Sequence, residues 1–388
     1  MKKATQDLLQ EEEKILSPYA VFSKNPGIRE FPEEDHPYRL PFQRDKDRIV
    51  HSHAFKRLEY KTQVFIYSEG DHFRNRLTHT LEVAGISRTI SKVLGLNEDL
   101  SECIALAHDL GHSPFGHAGQ EALADLMRGR GGFEHNKQSL RVVRILERKY
   151  PNFPGLNLCG ETLLGIMKHG GDYDHSELHG IRKEEGPSLE AMIVDFSDEI
   201  TYSAHDLEDG LESGFLKLEE IKNLKIWKRL KDSYSKLGSH LNHESIIRSL
   251  SRIFLNTVVS EFIEETDRRI TANRILSRTD VSLAYKNQVR LVGFSEEFLD
   301  EFKEVKSFLF EALYRHPQVV RMSEHGKETI HLLFKHFEIH PEKIPESYLI
   351  REEREGRARV VCDYIAGMTD RYAIEKLKSE GIFWFPYV

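Results

Sequence analysis

Apolar residues recur at a period near 3.6 along most of the chain, so the pattern predicts helices. Leu77 to Leu94 reads as an amphipathic helix whose stripe is Leu81, Ala84, Ile90 and Leu94. Glu98 to Asp109 is a second helix, with Leu100, Cys103, Ile104 and Ala107 facing inward, stopped by Gly111 and Pro114. Shorter helices are predicted at 120–128, 137–150 and 161–169, and a long one at 189–207. Helical period continues through 215–237, 243–269, 295–314, 327–337 and 346–379. Ahead of all these, Pro18, Pro26, Pro32, Pro37 and Pro41 stand too close together for a long helix, and residues 1–44 read as an extended arm. Gly170 to Gly186 is polar and glycine-bearing, an exposed loop. Alternating β-branched runs are scarce, and a short hairpin near Arg290–Val292 is the one strand candidate. The expected fold is all-α, with a helical core over 45–210 and a helical region over 211–388 packed on it.

Composition narrows the class. The 388 residues carry 55 Lys+Arg against 63 Asp+Glu, a net charge of −8, with 39% apolar residues. That apolar fraction excludes a disordered chain. No apolar run approaches the roughly 18 residues of a membrane helix. The N-terminal Met1-Lys2-Lys3-Ala4 leads into polar residues rather than a signal-type segment. Cys103, Cys159 and Cys362 are far apart and form no Cys-x-x-Cys pair, which points to a reducing, cytoplasmic setting and away from disulfides or a zinc–thiolate site. There is no P-loop sequence and no His-Glu-x-x-His. The acidic balance gives no support to sequence-specific DNA binding.

The histidines are unevenly placed. Of 20, thirteen fall between His36 and His205. His108-Asp109 ends a predicted helix, where adjacent imidazole and carboxylate can both reach one divalent cation. His112 and His117 follow within nine residues, among Gly111, Pro114, Gly116 and Gly119. Upstream, His79 shares a helix face with Arg76 at i−3 and reads either as a satisfied core histidine or as a third ligand. Downstream, Asp198, Tyr202 and Asp206 at i, i+4 and i+8 line one stripe. That stripe is either a solvated acidic face or a further ligand followed by substrate contacts.

In this order the residues resemble a known family. His79…His108-Asp109…Asp198 is similar to the metal signature of the HD-domain phosphohydrolases. More specific segments resemble the bacterial dGTPase family within it: Phe55-Lys56-Arg57-Leu58, Lys61-Thr62-Gln63-Val64-Phe65, Arg76-Leu77-Thr78-His79, His108-Asp109-Leu110-Gly111-His112-Ser113-Pro114-Phe115-Gly116-His117, Gly132-Phe133-Glu134-His135-Asn136, Asp198-Glu199-Ile200 with Tyr202, and Asp363-Tyr364 through Asp370-Arg371-Tyr372. The matches run from about Arg44 to Tyr372. The resemblance implies an HD-domain helical core with a helical C-terminal extension. It implies hydrolysis of a deoxynucleoside triphosphate (dNTP) to deoxynucleoside and inorganic triphosphate. It places one divalent ion, of the Mn, Mg, Fe, Ni or Zn group, on His79, His108, Asp109 and Asp198. His117, with His112 and His135, then serves proton transfer beside the α-phosphate. Arg76 contacts phosphate, while Tyr202 and Asp206 contact sugar and phosphates, Tyr202 disfavouring a 2′-hydroxyl. Arg57, Gln63 and Lys168 complete the substrate-binding set, Arg57 and Lys168 by local positive field. Gln120 stands where relatives carry an acid and is placed to orient His117 through its amide oxygen. Family members assemble into tetramers or hexamers, and some bind dNTP effectors or single-stranded DNA, so a homo-oligomer with such partners is expected. The alternatives are a 5′-nucleotidase or phosphodiesterase of the same superfamily, and a dNTP-binding regulator.

Overall fold

The computed structural model describes residues 3–63, 74–168, 186–237 and 242–382. Among these the fold is all-α, and the β-type pairings are two isolated bridges, Thr62 with Asn75 and Arg148 with Gly155. Residues 290–292 form no hairpin, and the loop expected at 170–186 lies almost wholly outside the described residues.

The chain forms two compact units, each assembled from separated stretches. The first comprises Met1–Ile49, Leu81–Leu106 and Asn157–His316. Helix Leu189–Glu212, capped by the Ser188 side chain accepting from Ala191 N, packs along helix His243–Ala272, which Asn242 caps in the same way. Phe254, Phe262, Phe294, Phe298 and Phe302 fill its core. The arm is not wholly extended: Thr5–Ile15 is helical, between Ala4 and the first of the prolines at Pro18. Glu190, fully buried, accepts from the backbone N–H of Val21 at 2.9 Å and of Asn97 at 3.1 Å, tying the arm to its own unit.

The second unit comprises Val50–Thr80, Ala107–Leu156 and Pro317–Val388. Helix Pro317–Ile339 lies against helix Gly116–Leu126 and helix Arg357–Ala366. Phe115, Leu123, Ile330, Phe334, Phe337 and Ile365 form its core. The segment 346–379, which reads as one helical pattern, is broken into Glu346–Leu349, Glu352–Glu355, Arg357–Ala366 and Asp370–Ser379. Gly356 at φ 83° sets one break, and Thr369, accepting from Tyr372 N at 3.2 Å, caps the last helix.

The helix Arg76–Val93 corrects one detail of the apolar pattern. Leu81 is 51% exposed, whereas Thr80, Val83, Ala84, Ser87, Ile90 and Ser91 are buried. Ala84, Ile90 and Leu94 of the expected stripe are thus buried as expected, Leu81 is not, and small hydroxyl residues share the buried face.

Candidate active site

Helix Arg76–Val93 opens with Arg76 and His79 on one face, and helix Glu98–Ala107 delivers His108 and Asp109 at its end. Arg76, His79, His108, Asp109 and His112 are each no more than 4% exposed. Histidines and acids buried to this degree need partners or an ion. The rings of His79 and His108 lie 5.8 Å apart, edge to face. His79 and His108 can each offer one ligand nitrogen, and Asp198, on helix Leu189–Glu212 of the first unit, is the carboxylate candidate. Imidazole nitrogen with carboxylate oxygen is a donor chemistry that divalent ions of the first transition row accept.

Asp109 stands beside this group. Its Oδ1 is 3.3 Å from His108 Nε2 and 3.1 Å from His112 Nε2, and its Oδ2 accepts from Arg76 Nη1 at 2.9 Å. Burial alone would raise the carboxyl's pKa, but its interactions with His108, the Arg76 guanidinium and the hydrogen-bonded His112 outweigh it and hold Asp109 well below the usual carboxylate range. His112 moves the other way from an ordinary histidine: burial, then Arg76 and His135, push it well down, so it is a neutral imidazole. Its Nδ1 has no hydrogen-bond partner. Arg76 keeps a further resource, since its Nε and Nη2 are buried without a partner.

His112, His117 and His135 come together. The rings of His112 and His135 stack at 4.0 Å, and His117 lies 6.2 Å from His112 and is exposed. Gln120 does not orient His117. Its Oε1 lies 2.6 Å from His135 Nδ1, which therefore carries the hydrogen of that bond. The reason is local: Glu134 caps helix His135–Arg141 through the N–H groups of Asn136 and Lys137, and this start swings His135 over the second turn of helix Gly116–Leu126.

Asp198, Tyr202 and Asp206 lie on helix Leu189–Glu212, and Asp206 is buried, so the stripe is not a solvated acidic face. Tyr314, which sequence reasoning missed, donates to the Asp206 carboxylate and hydrogen-bonds the Tyr202 hydroxyl, with its ring stacked at 6.1 Å from that of Tyr202. Burial first, then Asp206 and Tyr202, raise the Tyr314 pKa well above the usual value, so it stays a donor.

The other substrate candidates are scattered. Gln63 is buried with its Oε1 unpartnered. Arg57 donates to Gly367 O at 3.0 Å and lines a cavity of about 320 Å³ with Lys61, Tyr348 and Arg351, a lining that includes none of His79, His108, His112, His117 and His135. Lys168 ends helix Gly160–Lys168, and its side chain lies outside the described residues.

Comparison with known proteins follows the same lines. Residues 76–203 match the HD domain, and residues 292–379 match the phosphohydrolase-associated domain. HD domains are metal-dependent, and the protein is a phosphohydrolase of this class. A deoxyguanosinetriphosphate triphosphohydrolase-like protein of Leptospira interrogans (strain Fiocruz L1-130) is 57% identical over 95% of this chain and 96% of its own length. Proteins of the same name from Geobacter metallireducens and Nitrosomonas europaea are 43% and 45% identical, over 95% and 93% of this chain and 95% and 96% of theirs. The chain belongs to this family of deoxyguanosinetriphosphate triphosphohydrolase-like proteins. Among the described residues, no helix is long and apolar enough to cross a membrane.

Proposed function

We propose that the protein hydrolyses a deoxynucleoside triphosphate, dGTP or several dNTPs, to the deoxynucleoside and inorganic triphosphate. The observation that carries the reading is the buried pair His79 and His108 with Asp109 beside them, and Arg76, on the same helix as His79, keeping two nitrogens unpartnered. The names borne by the relatives support a dNTP among phosphate substrates.

In this reading His79, His108, Asp109 and Asp198 hold one divalent ion. When bound, that ion supplies Lewis acidity to an α-phosphate oxygen and lowers the pKa of a water. Arg76 keeps Nη1 on Asp109 and turns its free Nη2 and Nε to the phosphates. Water attacks the α-phosphorus, the bond from phosphorus to the 5′-oxygen breaks, and the departing 5′-oxygen takes a proton. His117, exposed and next to the His112–His135 stack, is the donor of that proton. His112, neutral and with Nδ1 open, accepts a hydrogen bond from the attacking water, and His135, stacked on it, lies beside the same phosphate. Tyr202 and Asp206, fixed by Tyr314, face the sugar, with Gln63, Arg57 and Lys168 completing the substrate set. A homo-oligomer, with dNTP effector or single-stranded DNA binding, belongs to the same reading.

The test is a panel of the four dNTPs with Mn or Mg and identification of the products, with and without a second dNTP. Tripolyphosphate and free deoxynucleoside are expected. Orthophosphate released from a dNMP, with no tripolyphosphate from any dNTP, would instead make the protein a nucleotidase. Tight dNTP binding without turnover would make it a regulator.

A further inference from the structure

The turn between His112 and His117 is held in an unfavourable backbone conformation. Phe115 has φ 63° and Gly116 has φ 56°, two left-handed residues in succession, and the first is a bulky aromatic. Phe115 begins helix Gly116–Leu126 without a side-chain cap of its own. Something else must hold it, and the contacts come from residues far along the chain.

Asp370 is 3% exposed, in the first turn of helix Asp370–Ser379. One carboxylate oxygen accepts from Phe115 N at 2.9 Å. The other accepts from Thr62 N at 2.9 Å and from the Thr62 hydroxyl. Three donors converge on one carboxylate. Beside it, Lys61 Nζ, also buried, donates to the carbonyls of His112 and Ala366, the latter at 2.9 Å. The turn is thus gripped at His112 by Lys61 and at Phe115 by Asp370. Its position matters to the neighbouring chemistry, because a Cβ added at Gly116 would come within 3.5 Å of Arg76 Nη2.

We propose that Asp370 is a positioning residue for the proposed reaction: it fixes the left-handed Phe115–Gly116 turn and thereby sets the placement of His117 and His112. The inference rests on the hydrolase reading above for its kinetic consequence, and on the backbone alone for its structural one. Asp370→Asn retains side-chain size but replaces one of the two accepting oxygens with an N–H₂, which meets Phe115 N or the two Thr62 donors head-on.

The experiment follows kcat, KM and amide hydrogen exchange in the full chain carrying Asp370→Asn, Asp370→Glu and Thr62→Val. For Asp370→Asn, kcat is expected to fall about 10- to 100-fold with KM within threefold, and the protection of the Phe115 amide is expected to be lost while that of helix His243–Ala272 is kept. Asp370→Glu recovers part of kcat because it restores the charge. Thr62→Val loses one bond of the three and gives an intermediate drop. It also serves as the reading should Asp370→Asn not fold. Retained Phe115 protection in Asp370→Asn or, if that chain does not fold, wild-type kcat in Thr62→Val overturns the proposal. So does an unchanged kcat in an enzyme that turns over. If the wild-type chain releases no tripolyphosphate, the hydrolase reading fails, and the exchange at Phe115 still decides this one.

Discussion

Replacing Arg76 by Lys separates its two jobs. The guanidinium sits 2.9 Å from Asp109, with side-chain exposures of 2% and 4%. At an effective dielectric near 20, unit charges about 3 Å apart attract by roughly 6 kcal/mol, most of which offsets the cost of removing both from water. Deleting one partner leaves the other charge stranded, so Arg76→Ala should cost about 3–5 kcal/mol of stability. Lys keeps the charge and can satisfy Asp109, so its cost should stay under about 1.5 kcal/mol. What Lys cannot do is pair with Asp109 and present further N–H groups to phosphate, because its nitrogen is a single point while the fork of Arg76 leaves Nε and Nη2 free. Losing one preorganised donor to developing charge costs about 2.7–4 kcal/mol, or 10²–10³ in rate. Urea unfolding reports the first quantity, and kcat/KM for tripolyphosphate release reports the second. A Lys variant within threefold of wild-type kcat/KM would refute the placement of Arg76 at the phosphates. An Ala variant as stable as wild type would refute the buried pair.

Four further outcomes are expected. Stripping divalent ions with a chelator should abolish turnover and lower Tm, and restoring Mn at 100 times its Kd should return about 2.7 kcal/mol, read by calorimetry. Gly326→Ala would put a Cβ 2.7 Å from the Phe115 Cβ, an overpacking that should cost about 1–3 kcal/mol in urea unfolding and lower kcat by shifting the turn. Glu134→Ala removes the acceptor of Asn136 N and Lys137 N and should cost about 1 kcal/mol by the same measurement. Lys61 is pulled down to about 7, by burial first and then by Arg57 and Arg76, Asp370 and Asp109 only partly opposing them. Unfolded, it holds its proton to about 10.4, so between those values the unfolded chain binds the extra proton and stability rises with pH. The stability difference between wild type and Lys61→Met should therefore grow by up to about 1.4 kcal/mol per pH unit from pH 7 towards 10. A flat difference over that range would show Lys61 to be charged in the fold.

The helical class and the burial of the His108-Asp109 pair were legible because they are local. Period 3.6 is visible over any fifteen residues, and His108-Asp109 are adjacent in the chain. What stayed hidden depends on distant returns of the backbone. Gln120 meets His135 rather than His117 because a cap at Glu134 turns the next helix over it. Tyr314 meets Tyr202 across 112 residues, from a π-helical turn, Phe310–Tyr314, that reads as ordinary helix. Ser87 and Ser91 are buried and Leu81 is not, since a close helix contact favours small side chains over apolar ones. Helix Arg278–Lys286 was missed because only Val281, Ser282 and Ala284 of its nine residues are buried, too few for a clear stripe. Phe115 in a left-handed conformation runs against every local preference, and only its partners explain it.

The bond from Phe115 to Asp370 spans 255 residues. A ribosome adding about 5–20 residues per second needs roughly 13–50 s to bridge that distance. From His135 onward the nascent chain carries all the histidines proposed for metal binding and proton transfer, but not the carboxylate that shapes the turn between two of them. Phe115 also waits for Gly326 and the helix around it, leaving an apolar side chain without its partner surface. Catalytic competence is therefore expected to arrive late in synthesis, in one step with the closing of this unit, and chaperones that bind exposed aromatics would find their target between His112 and His117 until then.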